Sequence, residues 1–272
     1  MISNTLEYVC CPQCKSSLEA IITEAEDAQV RHGSLACHAC SLTFSVDNGL
    51  PRLLYPETLN KETESVQAFY DQRPLYDYRP TAFRLGIWSL AFRRNNDRQK
   101  WADLLELKEG HAVLEVGCGN GKALPYLCRS VGEQGRVDGI DLSLACLQVA
   151  HDSLIHEGVS GELIQGNASY LPYKSDMYDG VLSIGGFNDF VEKEKAINDM
   201  YRVLRPGGTM VLADEGMSEQ RKNSILGRYI RKNMKVFEQV PPERLIPREA
   251  INRRTSYMYQ ETFWVLKFQK II

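Results

Sequence analysis

The sequence contains no apolar run long enough to cross a bilayer, so no membrane span is expected. Its first residues, Met1 to Cys11, have neither a basic flank nor a long apolar region, and no signal peptide is predicted. An excess of one charge is lacking too, because 32 Lys and Arg stand against 35 Asp and Glu for a net charge of −3. That balance offers no global attraction to nucleic acid or to an anionic membrane. A cytoplasmic, reducing location follows as the default expectation. Hydrophobic residues make up 43% and charged residues 25% of the 272 residues, ordinary globular values. A chain of this length holds one enzyme-sized domain and a small module.

Against that plain background one run is informative. Residues Leu114 to Gly121 read Leu-Glu-Val-Gly-Cys-Gly-Asn-Gly, and Gly139-Ile140-Asp141 ends twenty residues after the last of those glycines. Val113–Val116 has the pattern of a short buried strand, the glycines permit a tight turn and close approach of a ligand, and a helix pattern follows. The second strand ends on Asp141, a carboxylate suited to a ribose diol. This is the layout of adenosine-cofactor sites in doubly wound sheets. A dinucleotide fingerprint would need a third glycine at position 122, which is Lys122. Taken alone, the run is equally compatible with an ordinary strand-to-helix turn.

The run Glu115-Val116-Gly117-Cys118-Gly119-Asn120-Gly121 resembles motif I of class I S-adenosylmethionine-dependent methyltransferases. The resemblance implies that Glu115 holds the cofactor's ammonium, with Gly117, Cys118, Gly119 and Gly121 forming the turn around it. It implies that Asp141, with Leu142 beside it, binds the ribose hydroxyls. Gly166-Asn167-Ala168 before Leu171-Pro172-Tyr173 is similar to the family's adenine-side stretch, with Asn167 where the family carries an acid. An amide oxygen also accepts a hydrogen bond from the adenine amino group. Tyr178–Val181 and Arg202–Gly208 resemble the entries to the fourth and fifth strands, and Ser183 completes the implied cofactor set. The likeness runs over residues 95 to 215, five segments in order.

Eight cysteines need a reason in a reducing compartment, and four have one. Cys11-Pro12-Gln13-Cys14 and Cys37-His38-Ala39-Cys40 are two C-x-x-C pairs separated by 22 residues, the spacing of a zinc ribbon. Buried thiols or a disulfide are the alternative. Four thiolates leave no coordination position open, so the expected Zn2+ is structural. Cys10 and His38 are read as bystanders, and Cys118, Cys128 and Cys146 as small core residues. The opening at Cys11 and the close from Phe44 to Leu53 resemble the small zinc-ribbon proteins that partner and activate RNA and protein methyltransferases. The module spans 1–55, a connector 56–100, and the catalytic domain 101–272.

The connector's Phe69-Tyr70-Asp71 and Tyr76-Asp77-Tyr78 are similar to the lead-in of quinone and sterol methyltransferases, which implies that Tyr70 and Tyr78 cover the cofactor. Packing between two domains explains the same aromatics. Short helices are expected over Glu62–Tyr70 and Ile87–Leu107. Downstream, strands are expected at Val113–Val116, Arg136–Ile140, Gly161–Gln165, Gly180–Ser183 and Thr209–Asp214, alternating with helices at Lys122–Val131, Leu144–His156 and Glu192–Leu204. Arg205–Gly208 is expected as a turn, Glu219–Val236 as one basic helix, and Arg254–Tyr259 with Thr262–Lys270 as a closing antiparallel pair. The alternation gives an α/β class, and the resemblance implies a Rossmann-like doubly wound seven-stranded sheet of class I methyltransferase type behind a small zinc-ribbon module.

Asp189, in the loop after the fourth strand, is the acid–base candidate; its alternative role is an N-cap for the next helix. The N-P-P-Y signature of amide and exocyclic-amine methylation is missing from that loop. The leading expectation is methyl transfer to an O, C or N nucleophile of a small molecule. Transfer to ribosomal or transfer RNA ranks lower, because Cys10–Cys40 holds only Lys15 and Arg31 against Glu19, Glu24, Glu26 and Asp27. A non-catalytic, cofactor-binding regulator is the third reading.

Overall fold

The computed structural model describes residues 5–26, 29–75 and 97–272. After a one-turn helix α1 (Thr5–Tyr8), strands β1 (Glu19–Glu26), β2 (Gln29–Ala36), β3 (Thr43–Asp47) and β4 (Leu50–Pro51) form an antiparallel sheet in chain order. β2 is eight residues long. Its first half pairs with β1 across a bulge near Ile22 and Glu24, where the β1 side is exposed and the β2 side is half-buried apart from the buried Val30.

The connector supplies α2 (Lys61–Asp71), started by Asn60, whose side-chain oxygen accepts from the Thr63 amide at 2.9 Å. α3 (Asp97–Leu104) is the described part of the helix expected from Ile87. Tyr78, expected at the cofactor, lies outside the described residues.

The large sheet follows from alternation. β5 (Ala112–Val116), β6 (Arg136–Asp141), β7 (Glu162–Gln165), β8 (Tyr178–Ile184) and β9 (Leu204–Glu215) run parallel, joined in part by α4 (Leu124–Val131), α5 (Leu144–Glu157) and α6 (Lys193–Val203). β10 (Ile251–Met258) and β11 (Phe263–Gln269) close it antiparallel against β9. The order is β10-β11-β9-β8-β5-β6-β7, so the chain reverses its direction of travel between β5 and β8. In such sheets the crevice beyond the strand ends at that reversal takes the ligand. β5 is buried at every residue, as expected for a strand covered on both faces.

Two expected boundaries shift. β9 starts at Leu204, ahead of the expected Thr209, and Arg205–Gly208 turn out between the Tyr178–Leu204 and Gly180–Thr209 pairs. The expected single basic helix is two, α7 (Glu219–Asn223) and α8 (Ile225–Asn233). Ser224 is extended between them and its hydroxyl accepts from the Gly227 amide at 2.9 Å, capping α8. A Cβ at Gly227 would lie 1.9 Å from the Arg221 carbonyl, so this break depends on glycine.

The N-terminal module is packed onto the edge of the large sheet. Val9 bridges Tyr173, Arg52 bridges Gln165 of β7, the Cys10 amide donates to the Pro172 carbonyl at 2.9 Å, and the Lys174 amide donates to the Tyr8 carbonyl at 2.8 Å. One apolar cluster runs from Leu35, Phe44 and Leu53 into Ile140, Ile164 and Leu171 without interruption. Thr5 donates to the buried Glu162 carboxylate at 2.8 Å, and the Arg136 guanidinium lies 3.9 Å from the centre of the Tyr8 ring.

Candidate functional site: a cofactor cavity and a four-cysteine centre

At the carboxyl ends of β5, β6, β8 and β9 lies a cavity of about 1130 Å³. Its wall includes Glu115, Gly117, Cys118, Gly119, Asp141, Leu142, Asn167 and Ala168, and on its other side Tyr70, Asp189 and Glu215. The turn after β5 reaches this shape through glycine. Gly119 has φ +52 and faces open space, while a Cβ on Gly121 (φ +71) would meet the Ala150 methyl at 2.7 Å. The first leaves room at the wall, and the second lets α5 pack under the turn.

Glu115 is only 3% exposed and its Oε2 has no hydrogen-bond partner among the described residues. Burial pushes its carboxyl up to about 8, against a downward pull from Arg98 and a further upward push from Asp141. A buried, unpartnered carboxylate oxygen on a cavity wall is matched by an ammonium, which both neutralises it and donates to it. Asp141 is held from behind: its Oδ2 accepts from the Gly119 amide at 2.7 Å and its Oδ1 from the Ser143 amide at 2.8 Å. Burial raises its carboxyl, and these amides pull it down. Each oxygen retains a lone pair for a diol. These residues fit the amino-acid and ribose ends of S-adenosylmethionine.

Asn167 lies on the wall, but its amide oxygen already accepts from the Ser169 amide at 3.0 Å and starts the turn Ala168–Tyr170. Ser183 is fully buried in β8, its hydroxyl unpartnered, and is not part of the wall; Ile184 and Gly185, one and two residues on, are. A strand alternates its faces, so a one-residue step separates wall from core.

Asp189 ends a one-turn helix, Phe187–Asp189, and does not cap α6: Glu192 occupies that position without a side-chain bond. Instead its Oδ2 accepts from the Tyr70 hydroxyl at 2.6 Å, tying α2 to the loop after β8 at the cavity's mouth. Further in sits a carboxyl pair absent from the sequence-based set. Asp214 accepts from the Asn188 amide at 2.7 Å and the Glu215 amide at 2.8 Å. Burial raises both acids, Glu215 well above the usual carboxylate range, with Asp214 pushing it further. Two acids closing the apolar run Met210–Ala213 were the available sequence signal, since that end of the strand opens on the cavity.

On the N-terminal module, the sulfurs of Cys11, Cys14, Cys37 and Cys40 all lie within 4.8 Å of one another. Cys11–Cys40 and Cys14–Cys37 are 3.5 Å apart and Cys14–Cys40 3.7 Å. Zinc–sulfur bonds of about 2.3 Å in a tetrahedron imply edges of about 3.8 Å, so the set fits Zn2+. Backbone amides of Gln13 and Cys14 point to the Cys11 sulfur and that of Leu42 to Cys40, as knuckle turns require. His38 is exposed and bonded to Glu19, and Cys10 is not in the cluster.

The sheet order and this cavity define a class I methyltransferase fold. Residues 113–208 match the family described as methyltransferase domain and residues 3–49 the family described as Trm112p-like protein. The two matches fall on the large sheet and on the four-cysteine module, respectively. It is 30% identical over 157 residues to methyltransferase GfsG of Streptomyces halstedii, covering 57% of this chain and 55% of that protein. It is 29% identical over 156 residues to the ubiquinone/menaquinone biosynthesis C-methyltransferase UbiE of Legionella pneumophila (strain Lens), covering 57% and 60%. The chain therefore spans little more than half the length of these curated relatives. Among solved structures, Haemonchus contortus phosphoethanolamine N-methyltransferase 2 with S-adenosyl-L-methionine aligns with TM-score 0.58 at 15% identity, covering 82% of this chain and 62% of that one. A chain from the complex between the Haloferax volcanii Trm112 methyltransferase activator and a candidate methyltransferase aligns with TM-score 0.53 at 15% identity, covering 76% and 98%.

Proposed function

We propose that this protein is an S-adenosylmethionine-dependent methyltransferase acting on an O, C or N nucleophile of a small molecule, with a structural Zn2+ in its N-terminal module. The observation that carries the reading is the buried, unpartnered Glu115 carboxylate on a wall shared with Asp141. When bound, S-adenosylmethionine supplies a methyl group on a sulfonium, already activated toward nucleophiles. Glu115 holds the ammonium, Asp141 the ribose hydroxyls, and Ala168 and Asn167 border the adenine. One relative's name, ubiquinone/menaquinone biosynthesis C-methyltransferase, supports a small acceptor.

The chain's own contribution is alignment, exclusion of water and proton handling. Asp189, with Tyr70 bonded to it, stands where an acceptor enters and takes its proton; Glu215 is a second carboxyl deeper in the cavity. Cys11, Cys14, Cys37 and Cys40 hold the metal, which needs a reducing compartment such as the cytoplasm. We assign residues 1–55 to the module, 56–100 to the connector and 101–272 to the catalytic domain.

The test is to incubate the purified chain with methyl-labelled S-adenosylmethionine and a fractionated cell extract. Label in the small-molecule pool is expected. Label in RNA would overturn the acceptor class, and no label in any pool, with cofactor bound, would favour the regulatory reading.

A further inference from the structure

Helix α8 has two unlike faces. Ile230 and Gly227 are buried, with Ile230 packed against Met217 and Phe237. The outer face carries Ile225, Arg228, Tyr229 and Lys232 on successive turns, with Ile225 82% and Tyr229 50% exposed. Between Glu219 and Glu238 the sequence has six Lys or Arg and only those two acids, in a chain of net charge −3. The local charge thus opposes the global one.

The position of this face matters as much as its chemistry. The segment leaves the sheet just after Glu215, a cavity residue, and is tied back to the β10–β11 turn by the Ser218 amide, which donates to the Glu261 carbonyl at 3.1 Å. Exposed apolar side chains interleaved with cations along one helix face are the pattern of a surface that enters a headgroup layer.

We propose that the outer face of α8 docks the chain onto an anionic lipid surface. Cations meet the headgroups and Ile225 and Tyr229 insert among the upper acyl carbons. Nucleic acid fits less well, because an isoleucine exposed to this degree gains nothing from a phosphate backbone. The inference stands apart from the methyl-transfer reading, since it concerns only where the chain sits.

The test is flotation of the full chain with vesicles of phosphatidylcholine alone, or of phosphatidylcholine and phosphatidylglycerol in roughly equal parts. Binding is expected to the anionic vesicles only, and to weaken as salt is raised. The double variants Ile225→Ser with Tyr229→Ser, and Arg228→Glu with Lys232→Glu, should each reduce bound protein about tenfold or more. All four side chains lie on the outer face, and thermal unfolding of each variant checks that the fold persists. Absence of wild-type binding overturns the proposal, as does binding that both folded double variants retain. Tighter association with a labelled single-stranded RNA, uncompeted by vesicles and lost in the charge variant, assigns the face to RNA instead and overturns it too.

Discussion

The zinc-ribbon module and the large sheet hold their shape by opposite means. β1 of the module is exposed along almost its whole length, whereas β5 of the sheet is buried at every residue. The sheet can rest on apolar burial, at about 25 cal/mol per Å² removed from water. A module of this size has too little of it. It is docked to the sheet edge, and its four clustered cysteines are those of the proposed zinc site. The docking is where the two meet functionally. Lys15, just after the Cys14 knuckle, donates to the Leu171 carbonyl and to Asp199, both at 3.0 Å, and Asp199 accepts from the Leu171 amide at 2.5 Å. Leu171 closes the turn that begins at Asn167 on the cavity wall. The weaker region thus braces one wall of the stronger region's cavity.

The contrast breaks most sharply at the metal. Cys14→Ser with Cys37→Ser, or strong chelation, should unfold the module while leaving the large sheet's helical and strand content in place. Structural zinc is worth on the order of 10 kcal/mol in modules of this kind. Circular dichroism together with metal analysis reads this, and about one zinc per chain is expected before treatment. If chelation left cofactor affinity untouched, the bracing of the Asn167 turn would be refuted.

Next in size is proton handling within the sheet's cavity. Asp189→Asn should lower turnover roughly 100-fold or more with cofactor affinity retained, as expected for a positioned acid–base group. Tyr70→Phe should have a smaller effect on the same step. Unchanged turnover in Asp189→Asn, with loss in Glu215→Gln, would move the role to the inner carboxyl.

Glu115 gives a pH signature. Its folded carboxyl, raised to about 8 from an ordinary 4.5, binds its proton more tightly than the unfolded chain does. The cofactor-free protein should therefore lose stability as pH rises through that window. Cofactor affinity should move the opposite way, rising as Glu115 ionises. Glu115→Gln should flatten both slopes, read by thermal unfolding and by titration calorimetry. The smallest effect is expected for Lys15→Ala, about 1 kcal/mol in thermal stability and a modest loss of cofactor affinity.

Most of the sheet was legible because buried parallel strands leave short apolar runs and helices announce their ends. Ser143 caps α5 at its start and Gly158, at φ 65, ends it. The two C-x-x-C pairs were legible for a different reason, since metal geometry dictates spacing directly. Legibility failed where tertiary contacts decide. Nothing local says that β9 takes its first partner at Leu204, ahead of Arg205–Gly208, or that the Asp189 carboxylate turns to Tyr70 and not to the α6 amides. Ser183 lies one residue before the wall residue Ile184, a step that changes the face in a strand. Glu215 was missed because its significance comes from the cavity beyond the strand, which only the assembled sheet creates.

The most direct test of the account is calorimetric titration of zinc-loaded protein with S-adenosylmethionine and with its demethylated product. A single saturable site per chain is predicted, strongly weakened in Glu115→Gln and in Asp141→Ala. No heat with either ligand in well-folded protein, or undiminished binding in both variants, would contradict it.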